Sequence, residues 1–285
     1  MKSSISSLLI VFYLLSGLFA FSQEPTGLPG DNFSLEGALE LFKTSESPEA
    51  FEKMLNTEQN KVNNLDLNGD GEIDYIKVID KTQGDVHAFV LQAVISENEN
   101  QDIAVIEMER NRDNATVQIV GDEDIFGEQR IVEPLEEVKT HAGTKSKKVV
   151  VNVYTWPVVQ YVYGPAYNLW ISPWGWHVRP VWWHPWRPIT FHVFYRYHDP
   201  YRHRYVVVHT HRTKHAHQIY RPSRSTSVTV RTRHKEPVDH YRNRTTRTPA
   251  VTQPRERTTR ETTPGRTKED GKKTKPTKRS TRTRN

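Results

Sequence analysis

A chain of 285 residues without a cysteine cannot be a disulfide scaffold, a thiolate metal centre or a cysteine-anchored lipoprotein. Its net charge of +6 hides a division: residues 24–148 carry 12 Lys/Arg against 27 Asp/Glu (−15), and residues 176–285 carry 27 against 7 (+20). That excludes a uniformly basic protein and implies two physically different regions, the second suited to polyanions.

Residues 1–22 read as a secretory signal peptide. Lys2 gives the positive start, Leu8–Ala20 an apolar run too short for a mature membrane span, and Ala20-Phe21-Ser22 a small-residue cleavage site before Gln23. The expected location is secreted or periplasmic. Residues 31–138 predict an α+β domain. In "SLEGALELF", Leu35, Ala38, Leu39 and Phe42 share a helix face behind an N-cap at Ser34; "SPEAFEKML" starts with Ser47 as N-cap and Pro48 at the first helical position. Further on, "YIKVIDK", "HAFVLQAVIS", "IAVIEMER" and "ATVQIV" are Val/Ile-rich and separated by short polar turns. Connections this short predict an antiparallel meander with the two helices packed on one face.

Between helices and strands lies "DLNGDGEID", residues 66–74. Asp66, Asn68 and Asp70 offer side-chain oxygens, Glu72 its backbone carbonyl and Asp74 a further carboxylate, with Gly71 at the sharp turn. Hard oxygens in this number suit Ca2+ better than Mg2+. The stretch opens like an EF-hand loop, but its twelfth position is Lys77, which falls in a predicted strand. It resembles the D-x-N-x-D-G loops of FG-GAP-type and dockerin-like calcium repeats, which implies Ca2+ on Asp66, Asn68, Asp70, Glu72 and Asp74. The competing reading is a hairpin turn held by Asn-Gly and Asp-Gly without an ion.

Residues 139–148 read as a linker and residues 149–206 as an aromatic arm. All seven Trp fall between Trp156 and Trp186, and Trp170-Ile-Ser-Pro-Trp174 recurs as Trp182-Trp-His-Pro-Trp186. Frequent prolines exclude a continuous helix, so "VVVNVYTW", "ITFHVFYRY" and "YVVVHTH" are expected as short strands. Trp170, Trp174, Trp176, Trp182, Trp183 and Trp186 are the candidate binding surface. Their rings suit a membrane interface, where Arg179, Arg187 and Arg196 could meet phosphates, or a small aromatic core or self-association surface, and less readily sugar stacking.

Residues 207–285 are rich in Arg, Lys, Thr and Pro and are expected to be disordered. His209, His211, His215 and His217 have a spacing that can take Zn, Cu or Ni. Arg212 and Lys214 and the lack of a carboxylate nearby in sequence favour a solvated basic stretch instead. The tail is expected to bind polyanions by counterion release, and otherwise to hover over the acidic region near Asp122, Glu123 and Asp124. Beyond a signal peptide the polyanion is an anionic envelope component, lipid or phosphorylated glycan; nucleic acid is the less favoured partner. No nucleophile elbow, zincin helix, Walker loop or dinucleotide fingerprint is present, which points away from an enzyme. The whole arrangement resembles secreted bacterial envelope proteins of Gram-negative type, a likeness that implies no particular activity.

Overall fold

A computed structural model describes residues 24–139 and 146–247; the expected signal peptide and residues 248–285 lie outside the described residues. The two expected helices are α1 (Leu35–Thr44) and α2 (Pro48–Leu55), each capped as its sequence requires: Ser34 Oγ accepts from Gly37 N (2.9 Å) and Ser47 Oγ from Ala50 N (3.1 Å). Phe42 on α1 meets Phe51 on α2 edge-on, and Phe89 of the sheet at a tilt, both at 5.2 Å between ring centroids. This aromatic contact seats the helix pair on the sheet.

The sheet holds the expected antiparallel meander, β1 (Ile76–Gln83), β2 (Val86–Val94), β3 (Asn100–Asn111) and β4 (Asn114–Gly121), and extends it by two strands the sequence reading did not give, β5 (Arg130–Lys139) and β6 (Ser146–Val150), in that order. β6 takes in the end of the expected linker and only the first two residues of "VVVNVYTW". A one-turn helix, α3 (Glu123–Phe126), links β4 to β5. A register shift between Leu91 and Gln92 puts a bulge opposite them in β3 and changes which residues face each side. Ile76, Val78, Phe89, Leu91, Ile106, Met108, Val117 and Ile119 pack with the helices in the main core. Ala88, Val90, Val105, Val120 and Ile131 form a second apolar cluster.

That second cluster adds a layer to the expected one and corrects the expected domain boundary at 138. Residues 207–247, assigned above to a disordered tail, are folded: β7 (Tyr205–Val208) pairs antiparallel with β5, and α7 (Lys214–Tyr220) lays Tyr220 into the second cluster. α8 (Val228–Arg233) and α9 (Lys235–Arg247) follow. Composition misled here because it counts aliphatic residues alone. Asp102, Glu107, Gln118 and Glu133 are buried, and the Arg/His/Thr-rich segment supplies the donors they need.

Between the sheet and α7, the arm also departs from expectation. "ITFHVFYRY" is not a strand: α5 (Phe191–Arg196) is helical, with Phe191 and Phe194 at i, i+3 and Phe194 buried against the His198 ring that follows the helix. α4 (Pro157–Val162) starts on its proline and buries Val158, Val159 and Val162 in the main core with Trp156. A short α6 (Asp199–Arg202) precedes β7. From 163 to 190 the chain has no regular element but runs along β1: Asp80 N donates to Trp170 O (2.8 Å) and Ser172 N to Val78 O (3.1 Å). The arm therefore covers an edge strand that would otherwise present unpaired backbone groups.

Tyr220 tests the docking of the basic segment. Its ring closes the second cluster and its hydroxyl donates to Asp102 Oδ2 at 3.1 Å. Tyr220→Ala is expected to cost about 3–5 kcal/mol in urea denaturation, and Tyr220→Phe about 1–2 kcal/mol. An alanine variant as stable as the wild type would mean that α7 does not cover the sheet.

Candidate functional site

The 66–74 loop closes on itself before β1. Asp74 N donates to Leu65 O (2.8 Å) and Leu67 N donates to Asp74 Oδ2 (2.7 Å). Asp66 Oδ1 accepts from Gly69 N (2.6 Å) and Asp70 N (3.1 Å), while Oδ2 accepts from Gly71 N (3.0 Å). Asn68 Oδ1 accepts from Asp70 N (3.0 Å), and Asp70 Oδ1 from Glu72 N (2.9 Å). Gly69 and Gly71 have φ of +76° and +86°, the left-handed region that side chains disfavour. A Cβ on Gly69 would also strike the Arg233 guanidinium, whose Nη1 donates to Asn68 O at 2.9 Å.

The residues fit a hard divalent cation in type. Asp74 is buried; that burial, together with the charges of Asp66 and Asp70, pushes its carboxyl up to about 8 against the opposing Leu67 N–H and Arg179. Such mutual repulsion is what a bound cation relieves. The loop is not a hairpin turn within the sheet, and Lys77 lies in β1 opposite Gln92, so the twelfth position of an EF-hand is here a strand residue. Asp66, Asp70 and Asp74 are engaged chiefly by the loop's own N–H groups and do not form a converged trio of carboxylates.

Loop and arm, separate in sequence, meet in space. Ile73 N donates to Trp186 O at 2.8 Å. The Arg179 guanidinium lies over the rings of Trp183 (5.2 Å) and Tyr75 (5.3 Å), and Tyr75 meets Trp183 edge-on at 5.1 Å. Asn68, Asp70, Asp74, Trp176, Arg179 and Trp183 line one shallow cleft. Arg179 Nη1 and Trp183 Nε1 are buried there without a hydrogen-bond partner.

The six expected surface tryptophans divide. Trp176 and Trp182 are 40 % and 41 % exposed, whereas Trp170, Trp174, Trp183 and Trp186 are half-buried, Trp170 against the main core. The exposed apolar edge instead includes Leu169, Ile171, Val178 and Val181, the last 95 % exposed. Sequence reasoning missed what fixes this edge in place. Glu52, buried on α2, accepts from Tyr75 Oη (2.7 Å), Val78 N (2.8 Å), Ser172 Oγ (2.8 Å) and Trp170 Nε1 (3.2 Å). Burial pushes its carboxyl up despite these four bonds. The only trace in the sequence is a Glu beside an apolar helix face, an ordinary surface pattern.

On the opposite face, the basic segment docks where the acidic trio was expected to attract it, in a fixed arrangement. Arg224 Nη2 bonds Asp122 Oδ1 (2.7 Å) and Asp124 Oδ2 (2.8 Å), Arg221 pairs with Glu123 (3.2 Å), and Arg242 approaches Asp124 (3.8 Å). The histidine reading needs correction as well. Carboxylates remote in sequence do lie beside the cluster: Glu107 contacts His211 and His217, and Glu109 contacts His215 (3.1 Å). His209 is exposed and stands apart.

No family model, curated protein or solved structure matches the chain.

Proposed function

We propose that this is a non-enzymatic, exported envelope protein in which a calcium-stabilised loop supports an aromatic surface for anionic envelope components, a lipid headgroup layer or a phosphorylated glycan. The observation that carries the reading is the apolar edge at residues 169–182. Val181, Trp182, Trp176 and Ile171 face solvent on a segment held by backbone bonds to β1 and to the loop. Holding large apolar side chains in water on an ordered frame is unfavourable unless something covers them. Tryptophan suits a boundary between apolar and wet phases, and Arg187, next to Trp186 in sequence, is an exposed cation. When bound, Ca2+ would neutralise the repulsion around Asp74; Asp66, Asn68, Asp70, Glu72 and Asp74 would hold it.

A nucleic-acid partner has less support. The arginines at 221, 224 and 242 are engaged by Asp122, Glu123 and Asp124. Partner binding by residues 248–285 falls outside the described residues.

Tryptophan fluorescence tests the proposal. Anionic vesicles at physiological salt are expected to shift the emission of the full chain to the blue through Trp176 and Trp182, and a Val181→Asp/Trp182→Asp double variant is expected to lose the shift. Emission indifferent to both vesicles and a phosphorylated glycan would overturn the reading.

A further inference from the structure

We infer that Glu107, His211 and His217 form a binding site for a divalent cation of the Zn2+ class, which clasps residues 209–217 onto the sheet. The inference is independent of the calcium loop and of the aromatic edge.

The three side chains come from separate elements and converge. Glu107 stands on β3 at 0 % exposure, His211 on the connection after β7, and His217 on α7. Their nearest ligand atoms all lie within 4.8 Å of one another, and the two imidazole rings are 4.6 Å apart at 69°. His217 Nδ1 contacts Glu107 Oε1 at 2.7 Å, and His211 Nε2 contacts Oε2. Two imidazoles and one carboxylate are a ligand set for borderline metals, and three protein ligands leave a fourth position for water.

The surroundings point the same way. Arg212, the nearest fixed cation in sequence, turns to Glu133 (Nε to Oε2, 2.9 Å), and His215 turns to Glu109. The buried Glu107 carboxylate is thus met by the two imidazoles and by Thr213 Oγ1, which donates to Oε2 at 2.8 Å. Thr213 orients the carboxylate as an outer hydrogen-bond partner of a metal ligand does. Gln118 fixes the backbone that carries His211: its Nε2 donates to Thr210 O (2.9 Å) and its Oε1 accepts from Arg212 N (2.7 Å).

The ring nitrogens of His211 and His217 lie within hydrogen-bond distance of the carboxylate. A cation would sit between them, with each ligand atom about 2.0–2.2 Å from it, after a modest opening of the two rings. His211 and His217 are 19 % and 21 % exposed, which gives an ion access from solvent while the carboxylate stays buried. Calcium does not suit this site, since it takes six or more oxygens.

The test uses the full chain stripped with a chelator and titrated with ZnCl2 against a chromophoric zinc indicator, in millimolar calcium so that the 66–74 loop does not compete. Expected is one zinc per chain. His211→Asn and His217→Asn should each weaken it about tenfold or more, since even outer-shell changes cost that much. His209→Asn and His215→Asn should leave it within about twofold, being outside the ligand set. Zinc-edge absorption of the wild type provides a readout that needs no variant, and should give two imidazoles and oxygen donors. The absence of a stoichiometric site, an equal loss in the His209 or His215 variants, or a different imidazole count would each overturn the assignment.

Discussion

Glu52→Ala should destabilise the protein by about 3–5 kcal/mol and release the aromatic arm from the sheet. Truncation leaves four donors around one buried point, the Val78 and Trp170 N–H groups and the Tyr75 and Ser172 hydroxyls. Buried donors stripped of their acceptor rank among the costliest point changes. Trp170 and Ser172 belong to the arm, so limited proteolysis should cut between residues 163 and 190 in the variant before it cuts the wild type. Glu52→Gln is expected to behave differently. Both obligate N–H donors sit on Oε2, whereas Oε1 faces two hydroxyls that can rotate to accept. A glutamine with its oxygen toward Val78 and Trp170 satisfies all four and should cost about 1 kcal/mol.

The same residue gives a pH dependence of definite sign. Burial raises the Glu52 carboxyl above its ordinary value of 4.5, so the folded chain keeps a proton that the unfolded chain releases. Folding takes up that proton within the window between the two values, and stability declines as pH rises through it. Glu52→Gln should remove this contribution, leaving a flatter stability profile from pH 4.5 upward.

Calcium should stabilise the chain to a comparable degree. A ligand at 100 times its dissociation constant contributes about 2.7 kcal/mol. For a folded unit of this size each kcal/mol is worth about 2–4 °C, which gives a rise in melting temperature of about 5–10 °C. Asp70→Ala should abolish the rise. The measurement belongs on the full chain, because a fragment ending near 148 would strip β7 and α7 from the sheet.

The parts of the fold that depend on local pattern were legible. Ser34 and Ser47 announced both helix starts, and period-two runs announced β1 to β4. What failed depended on partners remote in sequence. Thr213 and Tyr220 read as solvated, and Arg212 as unpaired, because their partners Glu107, Asp102 and Glu133 lie about a hundred residues earlier. The histidine cluster was discounted for the same reason, since Glu107 reaches it only through the sheet's second face. Alternation in "ITFHVFYRY" suggested a strand, yet Phe191, Phe194 and Tyr195 fit a helix spacing equally well. Short aromatic runs carry both periods, and burial decides between them. The 66–74 loop was visible as a motif, but its contact with Trp186 through Ile73 was not.

The central claim is that this loop and the aromatic arm are one unit. Hydrogen exchange of the full chain, with and without millimolar calcium, tests it through amides that join the two. These are Ile73, bonded to Trp186 O, and Asp80 and Ser172, which tie the arm to β1. Calcium should slow exchange both in peptides covering 66–75 and in peptides covering 170–186, and in neither for Asp70→Ala. Slowing confined to 66–75, or absent from both, would contradict the claim.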